Sequence, residues 1–208
     1  MLRGYLTNLP LIAILRGLEP ENAEAVGLAL VEAGFRIIEV PLNSPEPFRS
    51  IETLARTMPD DVLVGAGTVL DPQQVDGVRD VGGKLIVMPH ADTDVIGRAK
   101  EHRMVCTPGV ATPTEAFGAL KAGADAIKIF PAEAIPPAVV KAWRAVLPKD
   151  TIVLPVGGIK PDTMKPYVDA GANGFGLGSA LFVPAMTVEE IGRNARAFAA
   201  AWRELGIS

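Results

Sequence analysis

The sequence predicts an α/β fold, a single (β/α)8 TIM barrel over residues 1–208, and three observations predict it. Short, continuously apolar runs recur eight times along the chain, which is how strands buried on both faces of a parallel sheet read. Alanine-rich stretches with helical spacing lie between them, long enough for a crossover helix and a return. No Gly/Ser linker or composition shift divides the 208 residues, a length near the small end of the roughly 200 to 400 residues of such barrels. Eight regular units in one domain favour closure over an open doubly wound sheet.

The elements follow in order. The first strand is Leu11–Leu15, ending at Arg16, and a helix over Pro20–Ala33 is stopped by Gly34. The second strand is Ile37–Leu42, and Ser44-Pro45 reads as the next helix start, an N-cap residue before a first-turn proline. The third strand, Leu63–Thr68, is followed by a start at Asp71-Pro72, and the fourth is Leu85–Pro89. The fifth, Val105–Gly109, leads to a start at Thr112-Pro113 and a helix over Thr112–Ala122 closed by Gly123. The sixth strand is Ala126–Pro131, with a helix over Pro137–Val146 after it. The seventh is Ile152–Gly158, a stop stands at Ala170-Gly171, and Gly174–Ser179 completes the set.

Composition narrows the function. Twenty basic residues against 24 acidic ones leave a net charge of −4, which argues against nucleic acid as a partner, since that needs a basic face. An anionic small molecule is still allowed, because local cations and helix N-termini overcome a weak overall field. The single cysteine, Cys106, leaves no internal disulfide and suits a reducing compartment. The apolar run at Leu9–Leu15 is too short to span a membrane and Arg16 follows it at once; the expectation is a cytoplasmic protein with no membrane partner. His90, His102 and Cys106 match no zinc spacing, and no G-x-G-x-x-G opens the first strand–helix turn. Neither a metal nor another cofactor is expected. Trp143 and Trp202 sit in helical stretches and read as packing residues.

Active sites of such barrels lie at the carboxyl ends of the strands, so polar residues there carry the argument. The sixth strand holds Lys128 between Ile127 and Ile129, and the second holds Glu39 between Ile38 and Val40. A lysine facing an apolar interior loses part of its preference for the charged form and becomes a nucleophile. The same lysine could point outward to solvent or pair with a buried carboxylate, and Glu39 could be half of such a pair. Strand parity places Ile37, Glu39 and Pro41 on one face, and Ala126, Lys128 and Phe130 on one face. If both faces are inward, a base meets a nucleophile inside the barrel. Arg16 and Thr68 end the first and third strands, where they either grip an anion or serve as a surface arginine and a helix cap. Gly157-Gly158 and the Gly176–Ser179 run stand where the seventh and eighth loops of these barrels bind phosphate, or they simply make tight turns.

Five segments carry a resemblance: LPLIAILRG at Leu9–Gly17, IEVPLNSP at Ile38–Pro45, GAGTVL at Gly65–Leu70, AIKIFPA at Ala126–Ala132 and VGGI at Val156–Ile159. They resemble the 2-keto-3-deoxy-6-phosphogluconate aldolase family, and within it the galactonate branch more closely, over about Leu9 to Phe182. The resemblance implies a metal-independent class I lyase, usually a homotrimer, that splits a phosphorylated 2-keto-3-deoxy sugar acid into pyruvate and D-glyceraldehyde 3-phosphate. It makes Lys128 the Schiff-base lysine and Glu39 the general acid/base. It gives Thr68 and Arg16 the pyruvyl carboxylate, Pro89 and Phe130 the pocket wall, and Gly157, Gly158, Gly178 and Ser179 the phosphate. Two departures from the gluconate pattern favour galactonate: Asn43 stands where an arginine follows the glutamate strand, and Val156 stands where a threonine precedes the glycine pair. Arg16 then takes over the carboxylate, and the substrate C4 hydroxyl is read differently. The alternatives are an enzyme for the gluconate epimer or for both epimers and, more distantly, a non-catalytic phosphosugar-binding barrel. Whether His90, after the fourth strand, touches substrate is open.

Overall fold

The apolar runs become short parallel strands with every residue buried: β1 (Leu11–Ile14), β2 (Ile37–Pro41), β3 (Leu63–Gly67), β4 (Leu85–Val87), β5 (Val105–Thr107), β6 (Gly109–Val110), β7 (Ile127–Ile129), β8 (Val153–Pro155) and β9 (Phe175–Leu177). The computed structural model describes residues 2–206. The helices are α1 (Leu2–Tyr5) before β1, then α2 (Ala23–Ala33), α3 (Pro47–Thr57), α4 (Pro72–Asp80), α5 (Thr93–Glu101), α6 (Pro113–Lys121), α7 (Pro137–Arg144) and α8 (Met164–Asp169) between strands, and α9 (Val188–Glu204) after β9. The strands form a parallel sheet in the order β5-β4-β3-β2-β1-β9 and a second in the order β6-β7-β8. The fold is therefore α/β with parallel sheets.

Two cores follow from strand alternation. Residues such as Ala13, Ile38, Val64, Ile86, Ile127 and Val153 pack with the helices. Their neighbours Ile12, Ile37, Leu63, Leu85, Val105, Ala126 and Leu154 form a second cluster to which both sheets contribute. Glu39 and Lys128 share the parity of this second cluster, two residues beyond Ile37 and Ala126. Register fixes their height: Glu39 is level with Ile14 and Gly65, and Lys128 with Gly109 and Leu154.

Most punctuation holds. Asp71 caps α4 by accepting from the Gln74 N–H at 3.0 Å, and Thr112 with Glu115 forms a reciprocal capping box on α6. Gly34, Gly123 and Gly171 end helices at φ of 107°, 101° and 100°, where a side chain would be strained. Trp143 and Trp202 are buried packing residues.

Four expectations need correction. Ser44-Pro45 does not start a helix: α3 begins at Pro47 with Glu46 as its N-cap residue, because the Ser44 hydroxyl is used to accept from the Gly17 N–H at 2.9 Å. The fifth strand is interrupted at Pro108, which has no N–H for the ladder, so β5 and β6 are separate and join different sheets. The helix expected from Pro20 opens as a 3-10 turn over Pro20–Asn22 before α2. The predicted strands overrun the observed ones, so Arg16, Thr68, Pro89, Pro131, Gly158 and Ser179 lie in the loops beyond the strand ends.

Candidate active site

Lys128 and Glu39 sit on the middles of β7 and β2, both nearly inaccessible at 6% and 1% exposure. Taking two ionisable groups out of water disfavours their charged forms. Burial accordingly pushes the Glu39 carboxyl up to about 7, against the pull of the nearby Lys128 and Arg16 cations. Burial also lowers the Lys128 ammonium; Glu39 opposes this and Arg16 reinforces it. The outcome is an amine with more of its neutral, nucleophilic form available, beside a carboxyl that exchanges its proton near neutrality. Glu39 Oε2 has no hydrogen-bond partner among the described residues, so the carboxyl is free to serve a reacting molecule.

Local sequence makes this placement possible. A β-carbon on Gly67, in β3, would lie 2.0 Å from Glu39 Oε2 and 2.5 Å from Oε1. The missing side chain is the space that the carboxylate fills. The Lys128 amine lies 4.6 Å from the centre of the Phe130 ring, so the ring walls one side of it.

Arg16 lies just past β1. Its guanidinium donates to Asn43 Oδ1 at 2.6 Å and to Thr68 Oγ1 at 3.5 Å. Asn43, where the resemblance leads one to miss an arginine, therefore orients Arg16. Thr68 sits at φ 52°, a conformation costly for a β-branched residue and typical of sites where function over-determines the backbone. That strain keeps its hydroxyl beside Arg16.

A cavity of about 420 Å³ opens from Lys128 toward solvent. Arg16, Phe130 and Val156 line it, and so do Gly157, Gly158, Gly178 and Ser179 from the loops after β8 and β9. Gly157 and Gly158 both have positive φ, 114° and 63°. Of the residues singled out from sequence, Lys128, Arg16, Phe130, Val156, Gly157, Gly158, Gly178 and Ser179 line this cavity, whereas Glu39 lies buried behind it and Asn43 and Thr68 reach it only through Arg16. Pro89 does not line the cavity; its carbonyl lies against Gly109. His90 is exposed, within 4.0 Å of Asp92, and is also outside the cavity. Sequence reasoning missed Glu133 and Lys160, which do line it. Their signal was adjacency, three residues after Phe130 and two after Gly158.

A buried nucleophilic amine, a carboxyl poised near neutrality, a fixed guanidinium and a glycine-rich mouth suit covalent chemistry on a carbonyl compound with anionic ends. Comparison with known proteins agrees. The family model for KDPG and KHG aldolases matches residues 2–195. The 2-dehydro-3-deoxy-6-phosphogalactonate aldolase of Escherichia coli K12 is 48% identical over 95% of this chain and 97% of its own. A solved structure of native KDPGal superposes with a TM-score of 0.94 at 48% identity, over 95% of this chain and 96% of that one. The KDPG aldolase of Legionella pneumophila, solved with pyruvate captured as a covalent carbinolamine intermediate, gives a TM-score of 0.82 at 26% identity over 99% and 98% of the two chains.

Proposed function

Because this chain belongs to the KDPG and KHG aldolase family, we propose that it cleaves 2-dehydro-3-deoxy-6-phosphogalactonate to pyruvate and D-glyceraldehyde 3-phosphate, with Lys128 as its Schiff-base lysine. The chain is an aldolase, a class I lyase; the residue roles and the epimer are the proposal. The observation that carries it is the buried pair of Lys128 and Glu39, shifted toward neutrality, with Lys128 opening on a cavity that Arg16 and the glycine loops also line. A barrel that merely bound phosphosugars would gain nothing from keeping two costly buried charges.

The neutral Lys128 amine adds to the C2 carbonyl of the substrate, and Glu39 hands over the protons that let water leave as the iminium forms. The positively charged iminium draws electrons, so the C4 hydroxyl gives up its proton to the Glu39 carboxylate while the C3–C4 bond breaks. Glyceraldehyde 3-phosphate departs, and the remaining enamine takes the proton back at C3. Water then adds to the iminium, releasing pyruvate and restoring the amine. Arg16, oriented by Asn43 and seconded by Thr68, holds the substrate carboxylate throughout. Phe130 walls the reacting end, and Gly157, Gly158, Gly178 and Ser179 cradle the phosphate.

The wider reading is a single (β/α)8 barrel over residues 1–208. Closure is supported at both seams: β5 and β6 are separated only by Pro108, and a parallel bridge links Val156, just past β8, to Gly176 in the middle of β9. A homotrimer belongs to the same reading, with exposed Phe117, Leu70 and Val146 available for burial between copies. A cytoplasmic setting is supported by the single, buried, free thiol of Cys106.

The test is a side-by-side rate comparison on the two epimers at C4. The galactonate compound should give the higher kcat/KM, since Val156 offers no hydroxyl beside the glycine pair. Preference for the gluconate epimer would refute the assignment while leaving the aldolase chemistry intact.

A further inference from the structure

The cavity carries one acid and one base that the mechanism leaves unused. Glu133 lies in the 3-10 turn Ala132–Ala134, directly after the Phe130-Pro131 step. Its carboxylate rests on the glycine pair: a β-carbon on Gly157 would lie 2.1 Å from Glu133 Oε2, and one on Gly158 would lie 2.9 Å from its Cγ. Lys160 stands two residues past that pair. Its backbone is pinned by Thr163, whose hydroxyl accepts from the Lys160 N–H at 2.8 Å and donates to its carbonyl at 3.1 Å. Both residues line the cavity, both are exposed, and neither enters an ion pair among the described residues.

The charges lining the cavity are few enough to assign. Its cations are Arg16, Lys128 and Lys160, and its anion is Glu133. Arg16 is committed to Asn43 and Thr68, and Lys128 is the nucleophile. Lys160 is the remaining cation for a phosphate dianion. Glu133 occupies the surface of the glycines on which that dianion would be read, and two anions so close repel.

We propose that Lys160 and Glu133 set the affinity of the phosphate end in opposite directions. Lys160 pairs with the substrate phosphate, while Glu133, resting on Gly157 and Gly158 in the free protein, competes with it. The phosphate must displace the Glu133 carboxylate to enter, so the pair discriminates for dianions strong enough to win that exchange. This rests on the reading above that the glycine pair holds phosphate.

Three variants test it: Lys160→Met, Lys160→Arg and Glu133→Gln. The readouts are KM for the phosphorylated keto acid, the inhibition constant of inorganic phosphate, and borohydride trapping of pyruvate as a separate control. Lys160→Met should raise both constants about tenfold, the scale of one charge-assisted hydrogen bond, and Lys160→Arg should recover most of that loss. Glu133→Gln should lower both constants about threefold, the scale of a partly exposed charge pair. Constants for Lys160→Met within about twofold of the parent would sink the phosphate contact, since a lost charge-assisted bond costs more. A raised KM in Glu133→Gln would make Glu133 a substrate ligand rather than a competitor. If the parent chain itself fails to trap pyruvate, the function proposed above falls; if parent and variants all trap pyruvate while the constants stay put, only the present inference does.

Discussion

Glu39 shows how one substitution-sensitive space governs a proton. Its carboxyl is held in apolar surroundings, above a backbone position where any side chain larger than hydrogen would collide with it. Burial favours the protonated form, so between the ordinary carboxyl value of 4.5 and about 7 the folded chain holds a proton that the unfolded chain has released. Stability therefore falls as pH rises through that window and stays lowered above it. Glu39→Gln removes this slope: urea unfolding at pH 5 and pH 8 should show the variant gaining on the parent by up to about 3 kcal/mol, the worth of the shift. The same titration shapes catalysis, because the free enzyme needs the Glu39 proton to let water leave, and the carboxylate that accepts the C4 proton is the product of that step. The kcat/KM of the parent should fall as pH rises through about 7, while Glu39→Gln loses that limb and about 10²–10⁴-fold in rate. Parallel stability curves, or an unchanged basic limb in the variant, would contradict this account of Glu39.

At the scale of the elements, the strands hold the interior residues in register, and the loops beyond them hold Arg16, Gly157, Gly158 and Ser179 at the cavity. Eight apolar runs were legible because a strand buried on both faces has no polar face to blur it. The break at Pro108 was visible as a residue but not as a seam, since only the ladder reveals which N–H is missing. Ser44-Pro45 misled because a serine before proline is equally good at receiving a backbone N–H from a distant loop, here Gly17. Thr112-Pro113 read correctly because Glu115 completes a reciprocal cap inside four residues. That cap makes an element-level prediction: Thr112→Ala should cost about 1 kcal/mol of unfolding free energy with catalysis intact. A loss of turnover without a loss of stability would mean that α6 contributes to the site directly.

For the whole molecule, the arrangement explains how a chain with a net charge of −4 binds an anionic substrate. Three of its cations, Arg16, Lys128 and Lys160, line one cavity against a single carboxylate there, so the local field is positive although the net charge is negative. Lys128 and Glu39 were legible in sequence because charge inside an apolar strand is rare. Glu133 and Lys160 were not, because an acid or base in a polar loop is ordinary until the fold brings it against Gly157 and Gly158. The central claim concerns one bond, between the Lys128 amine and the substrate ketone. Incubation with pyruvate and borohydride, followed by mass spectrometry of the digested protein, tests it most directly. A reduced pyruvyl adduct on the peptide containing Lys128, and its loss in Lys128→Ala, is the predicted result; a folded, active protein that traps no pyruvate, or traps it on another lysine, would contradict the account.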